Sequence, residues 1–149
     1  EEDRSVGLER ENGYIAALKE NDLEVDMENL KLGDFSYESG YELTKKLIKK
    51  KNIPTAIFAV TDNLAIATID CLKDNGLNVP EDVAVVSIGD TRISQVVSPK
   101  LTTIHYHYKT SGRKSAEIMI ELLKSGTKTS KTIKKDIKLS YRLIERNSV

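Results

Sequence analysis

Two aspartates, an arginine and a phenylalanine occupy the positions where side-chain chemistry is easiest to assemble. Arg10 lies in the first apolar-periodic segment and Phe35 directly follows a Gly-Asp pair, while Asp62 and Asp90 come just after short apolar runs. Carboxylates accept hydrogen bonds and guanidinium groups donate them, so in pairs they satisfy hydroxyls, which do both. An aromatic ring packs on the C–H face of a pyranose. Taken together, these residues are what a polyol pocket would use. Each also has a local explanation. Asp62 can cap the helix that follows it, and Asp90 can start a turn at Thr91. Phe35 can plug a core, and Arg10 can pair with Glu9 or Glu11 at the surface, a contact that contributes little.

Other chemistries find less support. The sequence has no glycine-rich dinucleotide fingerprint, no phosphate-cradling loop ending in Lys-Ser/Thr and no Gly-x-Ser-x-Gly elbow. His105 and His107 can share one face of a strand, but two imidazoles without a nearby cysteine or paired carboxylates do not complete a metal site. Cys71, between Asp70 and Leu72 and close to Ile69, reads as a small buried hydrophobe rather than a nucleophile. Lys45, Lys46, Lys49 and Lys50 fall opposite Leu43 and Leu47, as a solvated helix face near the negative end of a helix dipole would. The basic residues Lys131, Lys134, Lys135 and Lys138 read the same way. No catalytic residue, metal ligand or cofactor is expected.

Composition sets wider limits. The 149 residues suffice for one domain or slightly more, and 39% apolar with 31% charged residues describes a folded chain with a sizeable core. Acidic and basic residues balance at 23 each, which weighs against a phosphate-gripping surface on this piece. The longest apolar run, residues 56–60, is far shorter than the roughly 20 residues of a membrane span. One cysteine cannot form an internal disulfide and fits a reducing, cytoplasmic setting. The charged opening Glu1-Glu2-Asp3-Arg4, without methionine, reads as the start of a fragment of something longer.

The elements that must position these side chains follow from periodicity and punctuation. Ser5 is a plausible N-cap for a helix through about Glu20, with Leu8, Tyr14, Ile15 and Leu18 at helical spacing. A short extended segment at residues 30–32 leads to the Gly33-Asp34-Phe35 turn. Ser36 caps a second helix with the stripe Tyr37, Tyr41, Leu43, Leu47 and Ile48, which Asn52-Ile53-Pro54 stops. The run at 56–60 and that at 83–88 fit strands covered on both faces. Between them Thr61-Asp62 opens a helix that Gly76 closes in a left-handed C-cap. A helical turn at 91–97, a strand at 101–105 and a helix at 110–124 follow, with Gly126 ending the helix. Loose alternation over 132–144 suits late strands near a sheet edge. Such alternation of strands and helices implies an α/β fold with a parallel sheet sandwiched by helices. Ligands of these sheets sit beyond the carboxyl ends of the strands, which selects Gly33-Asp34-Phe35, Thr61-Asp62 and Gly89-Asp90-Thr91 as converging segments.

The residues Arg10-Glu11-Asn12-Gly13-Tyr14, Gly33-Asp34-Phe35, Pro54-Thr55-Ala56-Ile57-Phe58 and Thr61-Asp62-Asn63-Leu64-Ala65 occur in a telling order. They continue with Val79-Pro80-Glu81-Asp82-Val83-Ala84-Val85-Val86, Ser98-Pro99-Lys100-Leu101-Thr102-Thr103-Ile104 and Leu143-Ile144-Glu145-Arg146-Asn147-Ser148. This series resembles the lactose/galactose (LacI/GalR) family of bacterial transcription regulators over nearly the whole chain. The resemblance implies a periplasmic binding protein-like type I fold with Rossmann-like lobes, of which this chain would be mainly the C-terminal lobe. Residues 1–100 would form that lobe, 101–126 would cross over into the N-terminal lobe and 127–149 would return. A DNA-binding headpiece would lie outside the chain. Met119, Ile120, Leu122 and Leu123 would then lose their native neighbours and need another surface.

The same resemblance implies ligand contacts at Arg10, Phe35, Thr61, Asp62, Gly89 and Asp90. Gly89 departs from the family, which carries the first member of an acidic pair there. A homodimer surface would include Leu64, Ala67, Ile93, Val96 and Val97. The implied function is a non-catalytic effector sensor: a small molecule, a sugar, binds and alters operator DNA binding by a helix-turn-helix that is absent here. The alternative is a periplasmic-type sugar-binding protein of a transport system. A phosphosugar-processing enzyme is the third possibility. No membrane partner is expected.

Overall fold

The structure, a computed structural model, describes residues 2–50, 52–124 and 137–149, with side chains from residue 7 onward within the first helix. Four helices and four strands follow one another as α1 (Glu2–Glu20), α2 (Tyr37–Ile48), β1 (Ala56–Ala59), α3 (Asp62–Asp74), β2 (Ala84–Gly89), β3 (Thr102–Tyr106), α4 (Tyr108–Lys124) and β4 (Tyr141–Ile144). The sheet runs β1-β2-β3-β4, parallel across the first three strands and antiparallel at β4. This is the α/β architecture with a parallel-dominated sheet that the alternation of elements predicts.

Alternation along the strands sets the layers. Ile57 and Ala59 of β1 and Val85 of β2 face α3, where they join Ala65, Ile69, Leu72 and Leu101 in one buried cluster. Each fully buried valine, isoleucine or leucine here contributes about 1.5–3 kcal/mol relative to exposure. Phe58 alternates to the other face, where Tyr14 of α1 stacks on it with ring centroids 6.4 Å apart. Behind α3 lies α2. It packs through Gly40, Thr44 and Leu47 rather than through the whole predicted aromatic stripe. A Cβ on Gly40 would lie 3.0 Å from the Ala67 side chain and 3.1 Å from the Leu64 Cα, so the small residue sets how closely the helices approach. Tyr37 and Tyr41 flank that seam, and their hydroxyls donate to Asp70 and Asp74, each at 2.8 Å. Those bonds to carboxylates are the main reason both phenols are pushed up to about 12.

Punctuation accounts for most element ends. The Ser36 hydroxyl accepts from the Ser39 amide, Thr61 accepts from Leu64, and Gly76 takes φ +76° after α3. Three local expectations are corrected. Ser5 is not a cap, because α1 already begins at Glu2 and runs through it. Residues 30–32 keep the extended backbone expected at Leu30 but pair with no strand among the described residues, and Leu32 stands in solvent. Leu8 is exposed, so the first helix buries less of its stripe than its spacing suggests.

The strand expected to cross over at 101 stays in this sheet, with Val86 to Gly89 of β2 in register with Thr102 to His105 of β3. The helix that follows behaves differently. No residue of α4 is buried, and Met119, Ile120 and Leu123 are exposed. β4 forms the exposed edge that loose alternation suggests; the expectations for residues 132–136, for Gly126 and for Lys131, Lys134 and Lys135 lie outside the described residues. No helix among the described residues is long and apolar enough to cross a membrane.

Candidate functional site

A cavity of about 420 Å³ opens beyond the carboxyl ends of β1, β2 and β3, where ligand sites of parallel sheets form. Arg10 of α1, Thr61, Asp62 and Asn63 after β1, Ile88, Gly89, Thr91 and Ile93 around the end of β2, and Tyr106 and Tyr108 around the end of β3 line it. Four of the six predicted contact residues are therefore brought together: Arg10, Thr61, Asp62 and Gly89. Arg10 is half-buried and donates from Nη1 to the Val60 carbonyl at 2.7 Å, which ties its guanidinium to the end of β1. Thr61 caps α3 through its hydroxyl oxygen, which accepts from the Leu64 amide.

Asp62 does not cap the helix. Its side chain crosses to the next two strands and is only 3% exposed. Oδ1 accepts from the Ser87 hydroxyl at 2.6 Å and the Thr103 hydroxyl at 2.8 Å. Oδ2 accepts from the Thr91 amide and the Thr91 hydroxyl, both at 2.7 Å. A carboxylate has about four acceptor positions, so this one is filled from within. Burial by itself would push the carboxyl up, but the four donors outweigh it and hold the pKa below the ordinary value of 3.8.

Gly89 lies against that group. A Cβ at Gly89 would stand 2.7 Å from Asp62 Oδ2 and 2.9 Å from Cγ, closer than side-chain atoms pack. A side chain at this position would have to displace the Asp62 carboxylate.

Asp90 and Phe35 are not among the lining residues. Asp90, at φ +53°, turns its carboxylate to the Arg146 guanidinium on one oxygen and to His105 on the other. An ionised carboxylate only accepts, so His105 Nδ1 is the donor, at 2.9 Å. Arg146 also donates to the Leu101 carbonyl at 2.7 Å and to Ser94 Oγ at 3.1 Å. The C-terminal segment thus holds the loop after β2 in place. Phe35 is half-buried in a turn that Asp34 organises by accepting from the Ser36 amide and hydroxyl, bonds that hold the Asp34 carboxyl below its ordinary value. A Cβ on Gly33 would meet Ser39 Oγ and, at 2.7 Å, Leu43 Cδ1, both ends of side chains that can turn aside. Only the Phe35 carbonyl reaches the site, accepting from Asn63 Nδ2 at 2.9 Å.

Tyr106 and Tyr108 are the residues that sequence reasoning passed over. Tyr106 ends β3 and Tyr108 opens α4, so both stand where the strand-end rule places a ligand, and that position was the available signal. Asn63 was part of a quoted motif without a role. The surfaces expected to hold a second subunit divide. Ala67 is fully buried against α2, which corrects its assignment to a dimer surface, and Leu64 and Val97 pack on the core. Val96 remains 70% exposed, while Ile93 is 48% exposed at the cavity edge.

A parallel sheet with a cavity at its carboxyl edge, closed from one side by an arginine-bearing helix, defines a ligand-binding lobe of an α/β binding protein. The chain belongs to the periplasmic binding protein-like domain family, whose profile matches residues 1–149, in the form this domain takes in LacI/GalR-type regulators. It is 36% identical over 146 residues to the HTH-type transcriptional regulator MalR of Clostridium butyricum, covering 98% of this chain and 42% of that protein. It is 36% identical over 121 residues to the HTH-type transcriptional repressor PurR of Actinobacillus pleuropneumoniae serotype 3 (strain JL03), covering 81% of this chain and 36% of the repressor. Among solved structures, the transcriptional regulator CelR in complex with cellobiose superposes with a TM-score of 0.87 at 31% identity, over 96% of this chain and 42% of that one. The chain thus spans about two fifths of the length of these relatives, and all three are named as regulators rather than enzymes.

Proposed function

We propose that this chain is the effector-sensing part of a LacI/GalR-type transcriptional regulator that binds a small polyhydroxyl molecule and carries no catalysis of its own. The observation that supports it most is the Arg10 cavity, formed where three parallel strands end and lined by guanidinium, amide, hydroxyl and aromatic groups. Such groups orient a polar ligand and supply neither nucleophile nor acid–base pair. The intact protein would be a cytoplasmic homodimer bound to operator DNA through a headpiece outside this chain, with Val96 and Ile93 at the dimer surface. Residues 1–106 would form one lobe and α4 would pack on the other, which accounts for a helix that buries nothing here; the C-terminal segment returns to the first lobe. Ligand contacts would come from Arg10, Thr61, Asn63, Tyr106 and Tyr108, with Phe35 at the rim, while Asp62, Gly89 and Asp90 shape the wall.

An effector acts by binding one lobe arrangement better than the other, and its differential affinity is the whole of its leverage. Operator affinity of the intact protein, followed by fluorescence anisotropy across a sugar panel, tests this. At least one sugar should change the affinity, and Arg10→Ala should remove that response with the circular dichroism spectrum retained. Operator binding indifferent to every small molecule that the protein binds would overturn the sensor reading.

A further inference from the structure

We infer that Asp90, His105 and Arg146 form a pH-sensitive clasp that sets how the two lobes stand to each other; this rests on the reading above that α4 belongs to the second lobe. On that reading the chain leaves this lobe at the end of β3 and comes back at β4. The two strands lie side by side, with His105 opposite Arg142 and Tyr106 opposite Tyr141. His105 stands on the departing strand, one residue before its end, and Arg146 stands two residues beyond the returning one. Both meet on a single half-buried carboxylate. Asp90 accepts from Arg146 on Oδ1 and from His105 Nδ1, at 2.9 Å, on Oδ2.

Asp90 belongs at the same time to the cavity wall. Gly89 before it and Thr91 after it line the cavity, Thr91 is held to Asp62, and the Asp90 amide donates to the Thr103 hydroxyl at 3.3 Å. A loop, a departing strand and a returning segment thus converge on two oxygens. Hydrogen bonds weaken steeply with distance and angle, so one carboxylate keeps both donors only at one relative placement of these three pieces. A lobe rearrangement that shifts either crossing segment against the loop stretches one arm of the clasp.

The arms are unequal. Arg146 keeps its charge and is further anchored by the Leu101 carbonyl and Ser94. The other arm is an imidazole, the side chain whose charge changes between pH 5 and 8, and an imidazolium is the stronger donor to a carboxylate. Among the described residues, the other titratable or charged groups around His105 are His107, edge-on at 5.3 Å between ring centroids, Tyr108 of α4 at 6.4 Å, and Arg142 across the strand pair. The closed clasp is therefore favoured at the acidic end of that interval and loses its advantage as pH rises.

Spin labels on the intact protein test this, one at Lys46, exposed on α2, and one at Lys114, on the charged face of α4. Double electron–electron resonance, with labelled protein diluted in unlabelled and neither sugar nor DNA added, reads the distance between the lobes. The ratio of the two lobe arrangements should change at least about three-fold between pH 6 and pH 8. His105→Gln, which keeps a donor but no changeable charge, should abolish the shift, and His107→Gln should retain it. Asp90→Asn should abolish it as well, and decides the matter if the His105 variant does not fold. A wild-type distance distribution identical at the two pH values, or a shift that survives His105→Gln, would overturn the clasp. Either result leaves the sensor reading standing, because the operator response to sugars decides that separately.

Discussion

Asp62 and Asp90 follow neighbouring parallel strands and look interchangeable as ligand contacts, but the protein uses them on opposite sides of the same loop. The Asp62 carboxylate points inward and is held by hydroxyls and an amide, whereas Asp90 turns to an arginine and a histidine. Both act on the segment from Gly89 to Thr91, Asp62 from beneath and Asp90 through the C-terminal segment. An acid at the end of a parallel strand is therefore as able to build a cavity wall as to contact what enters it. What separates the two roles is how many acceptor positions the fold leaves unfilled.

Removing the inner carboxylate should break this arrangement most severely. Asp62→Ala leaves buried donors on Ser87, Thr103 and Thr91 without a partner, and we expect a loss of about 3 kcal/mol in denaturant unfolding. A loss below about 1 kcal/mol would reduce Asp62 to the weight of an ordinary helix cap. Gly89→Ala should cost about 2 kcal/mol by pushing the added carbon into the same carboxylate. Part of that cost should disappear when Asp62 is already alanine, the remainder coming from the +154° φ at Gly89, and a double-mutant cycle measures the coupling. Equal costs in both backgrounds would mean that Gly89 answers to something other than Asp62.

The outer carboxylate should matter less. Arg146→Ala breaks a pair whose side chains are 14% and 12% exposed, and we expect about 1–2 kcal/mol together with faster amide exchange at residues 90–92. Unchanged exchange there would detach the C-terminal segment from the loop.

Titration distinguishes the inner site again. The folded Asp62 carboxyl lies below 3.8, so its contribution is present above that value and fades as pH falls through the folded one. Asp62→Asn should therefore flatten the acid limb of the stability profile, and an unchanged limb would contradict the pairing. The smallest effect is expected far from the cavity. With Tyr37 and Tyr41 at about 12 against an ordinary 10, the seam between α2 and α3 is intact below pH 10 and weakens as pH rises through 12. The double Phe variant should lose that alkaline step in stability measured between pH 9 and 12.

Legibility varied along the chain for physical reasons. Caps and closures were readable at Ser36, Thr61 and Gly76, because each is decided by a hydrogen bond or a dihedral within a few residues. The α2 stripe misled. Tyr37 and Tyr41 carry the apolar signal, but Gly40 and Thr44 make the contact, since close helix approach favours small residues that no hydrophobic pattern marks. The convergence of Thr61-Asp62 with Gly89-Asp90-Thr91 was readable from the strand-end rule. Tyr106 and Tyr108 obey the same rule, but tyrosines at a strand end carry no pattern that separates a cavity lining from an ordinary surface. Arg146 lay beyond reach, because nothing local links residue 146 to residue 90.

Order of elements, strand direction and the arginine-bearing helix are properties of this sequence by itself, since periodicity, turn residues and short connections act over spans of a few residues. Tertiary structure alone decided which carboxylates remain available at the cavity, because that depends on donors from Ser87, Thr91, Thr103, His105 and Arg146, distant along the chain and adjacent only once the sheet has formed.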